Sequence, residues 1–170
     1  GRILLPCEGE GRNAVYAAKI GLEASAFDIS EEGKKKAQTL AKMESVSINY
    51  EVGNFQDVQL EGNSYDIAAL IFAHFPADIL HLCHRKVADA LKSNGLIIIE
   101  AFHDDHQHYQ NKNPKVGGPK DQSMLFTAET IRRDFADFST LYLDECETSL
   151  QEGLYHNGLS KVIRYIGKKN

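Results

Sequence analysis

The stretch that most restricts how this chain can fold is "GEGRNA", residues 9–14, because of what flanks it. A short apolar run, residues 2–6, ends at Pro6 just before it, and an alanine-rich segment from Arg12 to Ile20 follows. Glycines here let the backbone turn sharply from a strand into a helix. Ala14, Val15, Ala18 and Ile20 recur at helical spacing, and Gly21 supplies a stop. A second strand-like run, "EASAFD", ends in Asp28, nineteen positions after Gly9. Strand, G-x-G-x-x-A turn, helix, strand and terminal carboxylate make a nucleotide-binding pattern. The glycines admit a ligand close to the backbone, and the acid accepts from ribose hydroxyls. The competing reading is a tight turn followed by an ordinary surface aspartate.

The remaining sequence continues the alternation. Ser30 caps a helix carrying Ala37, Leu40 and Ala41; "SINYEV" is a third strand and "YDIAALIF" a fourth. Pro76 opens a helix with Ile79, Leu80, Cys83, Val87, Ala88 and Leu91 on one side, closed by Asn94 and Gly95. "LIIIEAF" is a fifth strand, and apolar strands without alternation suit a parallel sheet covered on both faces. Residues 103–123 form a long polar loop, the kind that serves as a lid. Thr127 caps a helix through Phe135. Two final strands, about 139–150 and 160–167, flank a turn region with Gly153 and Gly158. They lie too close for another helical crossover. The expectation is a single α/β domain over 1–170, a doubly wound sheet whose last strand runs antiparallel.

Composition narrows the partners. A net charge of −5 and a pI near 5.8 argue against nucleic acid or an anionic membrane as the main partner. No apolar run approaches the roughly 20 residues that span a bilayer. Cys7, Cys83 and Cys146 are odd in number and far apart, which is no disulfide framework, and a reducing cytoplasm is the expected compartment. The chain opens on Gly1 rather than methionine, and its start is expected to be trimmed. Glu8 and Glu10 place negative charge at the glycine loop. That opposes a pyrophosphate and suits a cationic ligand such as S-adenosylmethionine (SAM), with its sulfonium and ammonium. The G-x-x-x-x-G-K-[ST] phosphate loop is absent.

Along its whole length the chain resembles the class I SAM-dependent methyltransferases, and within them the TehB-like, tellurite-resistance branch. The motifs are "EGEGRNAVY", "AFDIS", "YDIAALIFAHFP", "LKSNGLIIIEAF", "GGPKDQSML" and "EGLYHNGLSKVIRYIGKK". The resemblance implies a seven-stranded Rossmann-like sheet with the last strand antiparallel. It implies SAM as cofactor, with Gly9 and Gly11 toward its methionine and ribose part and Arg12, with Asn13, just beyond. Asp28 would take the ribose hydroxyls and Ile29 the adenine. Asn54 and Phe55 follow the third strand, where adenine contacts sit, and Phe72, Ala73 and His74 end the fourth beside the methyl donor. The chain departs from the family's D-x-G-x-G-x-G: Leu5 stands where an acid is common and Cys7 where the first glycine is. Glu8 would supply the missing carboxylate.

Three histidine-bearing segments remain. His74 is either a proton-transfer group at a strand's carboxyl end or a structural hydrogen-bonding residue. "HDDHQH", residues 103–108, is the most metal-like cluster, yet it matches no specific ligand spacing; it reads as a solvated loop, and no metal is expected. His81 and His84 are expected on a solvated helical face. His156, in "EGLYHNG", matches a family histidine, and Arg164 a basic position; with His74 these are the candidate catalytic residues. Tyr155 and Tyr109 are candidates for an acceptor pocket. The function expected is methyl transfer from SAM to a small-molecule acceptor: a thiol, a chalcogen oxyanion or a small heterocycle. The alternative is a non-catalytic SAM-family or metal-binding module. Neither the acceptor nor the oligomeric state is legible.

Overall fold

The computed structural model describes residues 1–152 and 156–170. In chain order it runs β1 (Arg2–Pro6), α1 (Arg12–Lys19), β2 (Glu23–Asp28), α2 (Glu31–Met43), β3 (Asn49–Val52), β4 (Tyr65–Ile71), α3 (Ala77–Ala90), β5 (Leu91–Phe102), α4 (His106–Lys112), α5 (Ala128–Asp134), β6 (Phe138–Gln151) and β7 (Asn157–Lys169). The strands form one sheet in the order β3-β2-β1-β4-β5-β7-β6. β7 slots between β5 and β6 and is antiparallel to both, so it alone opposes the other strands.

Alternation along each strand divides the core into two layers. Leu70, Ile97, Ile99, Ile163 and Tyr165 face α3 and α5, packing with Leu80, Val87, Ile131 and Phe135. On the other face Leu5 and Ala26 meet Ala14 and Ala17 of α1 and Ala37 of α2. Small residues at these contacts let both helices lie close to the sheet. The Ser30 side chain accepts from the Gly33 amide and the Thr127 side chain from the Thr130 amide, so both expected helix caps are present.

Several expectations need correction. Residues 103–123 are not one loop. They contain α4 and two 3₁₀ turns, Pro114–Val116 and Gln122–Met124. The anchor is His106, fully buried, its ring stacked on Phe102 at 4.0 Å and its Nε2 3.0 Å from the Gly117 carbonyl. α3 ends at Ala90, and β5 begins at Leu91 with an irregular start before Asn94, which has φ +63°. His84 is not solvated. It is buried with its Nδ1 2.7 Å from Asp134 Oδ2, while His81 Nδ1 lies 3.0 Å from Oδ1 of the same carboxylate, tying α3 to α5. Burial opposes ionisation of Asp134, but hydrogen bonds from His84, Arg133 and His81 hold its carboxyl below the ordinary range. Gly153 and Tyr155 lie outside the described residues.

Candidate cofactor and active site

β2 and β3 lie to one side of β1, and β4 and β5 to the other, so the strand order reverses between β1 and β4. At the carboxyl ends of those two strands, where open α/β sheets bind ligands, there is a cleft of about 240 Å³. The loop after β1 supplies Cys7, Glu8, Gly9 and Glu10, and α1 supplies Arg12 and Asn13. Ile71 and Phe72 come from the end of β4, and Glu152 and His156 from the β6–β7 connection. Of the residues singled out from sequence, the fold thus brings Glu8, Gly9, Arg12, Asn13, Phe72 and His156 around one space. Glu152 was missed; its signal was the spacing of four from His156 in "EGLYH".

The glycine loop is built from the inside. Glu8 Oε1 accepts from the Ala14 amide at 2.7 Å, and Oε2 lies 3.4 Å from Asn13 Nδ2. The side chain therefore caps α1, placing a carboxylate on the positive end of the helix. Burial pushes the Glu8 carboxyl above its ordinary value, against the pull of those bonds and of Arg12. Asp28 Oδ2 accepts from the Gly9 amide at 3.1 Å and Oδ1 from the Ser30 amide at 2.9 Å, so the carboxylate sits at the loop's edge. The Tyr50 hydroxyl donates to the Gly9 carbonyl at 2.5 Å. Gly9 has φ +60° and open space where a side chain would be.

Two non-glycine residues of the cleft also hold left-handed backbone, Cys7 at φ +55° and Phe72 at φ +52°. Such conformations cost on the order of 1–2 kcal/mol per residue and gather at ligand sites. A glycine would hold the Cys7 backbone without this cost. Burial pushes the Cys7 thiol up to about 12, helped by Asp28 and Cys83.

At the mouth, the Glu152 carboxylate lies 3.6 Å from Arg12 Nη2 and 3.6 Å from His156 Nδ1. The His156 ring centroid is 4.8 Å from that of Phe72 and 5.3 Å from that of Phe102.

Other expected site residues do not line this cleft. Gly11 is buried against α2. Ile29 is 74% exposed and Asn54 is exposed. The Phe55 side chain, expected near adenine, packs in the core between Phe27 and Phe75, and Ala73, expected beside the methyl donor, is buried. His74 has both ring nitrogens engaged, as in the structural reading of this residue. Its Nδ1 donates to the Met124 carbonyl at 2.8 Å, its Nε2 accepts from the Phe102 amide at 3.2 Å, and burial holds it down to about 4. Arg164 lies on the sheet, outside the cleft, with Nε and Nη2 each 2.9 Å from Glu100 Oε1. Leu5 is buried in the layer under α1, where an acid would sit in hydrocarbon. Tyr109 is tied by its hydroxyl to Glu147. Among the described residues one metal-ligand grouping gathers, His103 with Asp104 and Asp105. The His103 Nδ1 is 2.8 Å from Asp104 and accepts from the Asp105 amide, and its Nε2 is 3.2 Å from Glu145.

A seven-stranded sheet of this order, with a glycine loop and a carboxylate at the reversal point, defines a Rossmann-like methyltransferase fold. The model of the methyltransferase domain family matches residues 3–95, and the chain belongs to that family. Comparison with curated proteins gave no match. Among solved structures it is similar to TehB from Haemophilus influenzae, with a TM-score of 0.77 and 17% identity over 99% of this chain and 57% of that one. A SAM-dependent methyltransferase from Methanosarcina mazei gives 0.78 and 15%, over 99% and 92%. A protein solved in connection with conversion of a disulfide bond into a thioacetal group during echinomycin biosynthesis gives 0.80 and 17%, over 100% and 75%. At such identities the likenesses concern the fold. No helix among the described residues is long and apolar enough to cross a membrane.

Proposed function

We propose that this chain is a cytoplasmic methyltransferase that moves the methyl group of SAM to a small-molecule acceptor. The observation that carries the reading is the cleft between β1 and β4, where Glu8 occupies the positive end of α1 and Asp28 borders the loop. A helix end already neutralised by a carboxylate is a poor seat for a pyrophosphate and a good neighbour for a sulfonium and an ammonium. In the reading, Asp28 exchanges a local amide for the ribose hydroxyls, and Gly9 gives the ligand its closest approach to the backbone. The methyltransferase family match and the likeness to the Methanosarcina SAM-dependent methyltransferase favour the same cofactor.

Methyl transfer is an in-line displacement. An acceptor lone pair forms the new bond to carbon, the S–CH₃ bond breaks, and its electron pair stays on sulfur as S-adenosylhomocysteine forms. Positioning and exclusion of water supply most of the rate. The acceptor is a compact, electron-rich nucleophile: a thiol, a chalcogen oxyanion such as tellurite, or a small heterocycle. His156, at the mouth beside Phe72, orients an anionic acceptor or takes the proton a neutral one releases. An imidazole ring can donate through one nitrogen and accept through the other, and so serves either role. Calorimetry with SAM, S-adenosylhomocysteine and NAD tests the cofactor: the first two bind and NAD does not. NAD binding without a SAM signal overturns the reading, and binding without turnover on any acceptor assigns the chain to a non-catalytic module.

A further inference from the structure

The β6–β7 connection carries two ionisable groups four residues apart, and one oxygen joins them to the cofactor loop. Glu152 Oε2 is 3.6 Å from His156 Nδ1 and 3.6 Å from Nη2 of Arg12, the first residue of α1. Arg12 Nη1 also reaches the Glu152 backbone carbonyl at 3.5 Å. The His156 ring stands between two aromatic neighbours, Phe72 at 4.8 Å and Phe102 at 5.3 Å, which restrict its rotation.

We propose that Glu152 is a positioning residue that holds His156 with its proton on Nδ1 and its lone pair on Nε2, with Arg12 as the tether. At 3.6 Å the effect is electrostatic rather than a full hydrogen bond. A carboxylate facing Nδ1 repels a lone pair there and attracts an N–H. The neutral ring therefore carries hydrogen on Nδ1, and Nε2 becomes the nitrogen able to accept a proton. A second group that orients the base is the general logic of paired catalytic side chains. Arg12 completes it from the other side. Because it begins α1, a correctly formed cofactor loop also sets where Glu152 stands. The chain's own sequence thus links cofactor loop and proton acceptor through one carboxylate oxygen.

This inference rests on the proposed role of His156, and the experiment separates the two. Proteins labelled with ¹⁵N-histidine are compared at pH 8 as wild type, Glu152→Gln and Glu152→Ala, and the ring ¹⁵N shifts report which nitrogen of His156 carries hydrogen. The expected result is Nδ1–H in the wild type, a partial move toward Nε2–H in Glu152→Gln and a larger one in Glu152→Ala. S-adenosylhomocysteine affinity is measured on each protein, so that the tautomer is compared among variants that still bind it. A Glu152 that merely ties the connection to Arg12 would leave the tautomer unmoved. Nε2–H in the wild type, or the same tautomer in wild type and Glu152→Ala, overturns the inference while S-adenosylhomocysteine still binds. Failure of wild type to bind S-adenosylhomocysteine overturns the proposed function instead.

Discussion

Gly11 is pressed against Ala37: a Cβ added to Gly11 would stand 2.8 Å from the Ala37 Cα. The second glycine of the loop is therefore demanded by the approach of α2, and by its own φ of +82°, rather than by ligand space. Gly11→Ala is expected to destabilise the protein by roughly 2–4 kcal/mol, from left-handed strain plus overpacking. Gly9→Ala, which meets open space, should lose only about 1–2 kcal/mol of conformational preference. Urea unfolding of both variants and of Gly11→Ala/Ala37→Gly measures this. The double variant should regain part of the loss, and a Gly11→Ala protein as stable as wild type would remove the contact from the account.

Asp28→Ala should weaken SAM binding by roughly 1.5–3 kcal/mol, the range for hydrogen bonds to a charged group. It also releases the Gly9 and Ser30 amides, so a small drop in melting temperature should accompany it. Titration calorimetry on the folded variant decides: unchanged SAM affinity takes Asp28 out of the site.

Cys7 lines the cleft yet should not act as a methyl relay. With its thiol pushed up to about 12, only about one part in 10⁴ is thiolate at pH 8. Iodoacetamide should modify Cys7 in the native protein far more slowly than in urea, as followed by mass spectrometry. Equal rates in the two states would refute the burial argument.

Acid should weaken the fold through His74. Its folded value of about 4 lies below that of an unfolded histidine. Between pH 6.5 and pH 4 the unfolded chain therefore binds the extra proton and the native one does not. The contribution is fully present above pH 6.5 and is lost as pH falls toward 4, on the order of 3 kcal/mol in all. Protonation at Nε2 would displace the Phe102 amide. Stability measured by urea at pH 7 and pH 4.5 should fall less in His74→Gln than in wild type, and equal losses would clear His74.

His156→Ala should lower the turnover number by roughly 10²-fold, the scale of a lost proton-transfer group, with SAM affinity nearly unchanged. An acceptor panel of tellurite, small thiols and small heterocycles provides the assay. Normal turnover on the best acceptor would make the histidine structural.

Local chemistry was legible and distant pairing was not. β2 falls on the "EASAFD" read from the sequence, and the caps at Ser30 and Thr127 depend only on neighbours three residues away. The antiparallel last strand followed from a connection too short for a helix. What escaped needs contacts across the chain. His84 looks solvated beside Arg85 and Lys86 until Asp134, fifty residues on, closes over it. His106 looks like part of a polar loop until Phe102 and Gly117 enclose it. Phe55 sits where an adenine contact is expected by position, but Phe27 and Phe75 claim its ring. The spacing of Glu152 from His156 is local, but its relation to Arg12 spans 140 residues and could not be read from the sequence.

The place of β7 in the sheet governs when the protein can mature. β6 is translated before β7 but borders only β7, so it has no partner until residues 157–169 emerge and dock against β5. Until then β5 presents an open edge, an invitation to pair with another chain. His156, just before β7, joins the cleft with the same docking event. Assembly of the candidate acceptor side thus comes last in folding, so a ribosome-bound chain stalled before β7 would hold the glycine loop and Asp28 without the histidine set over them.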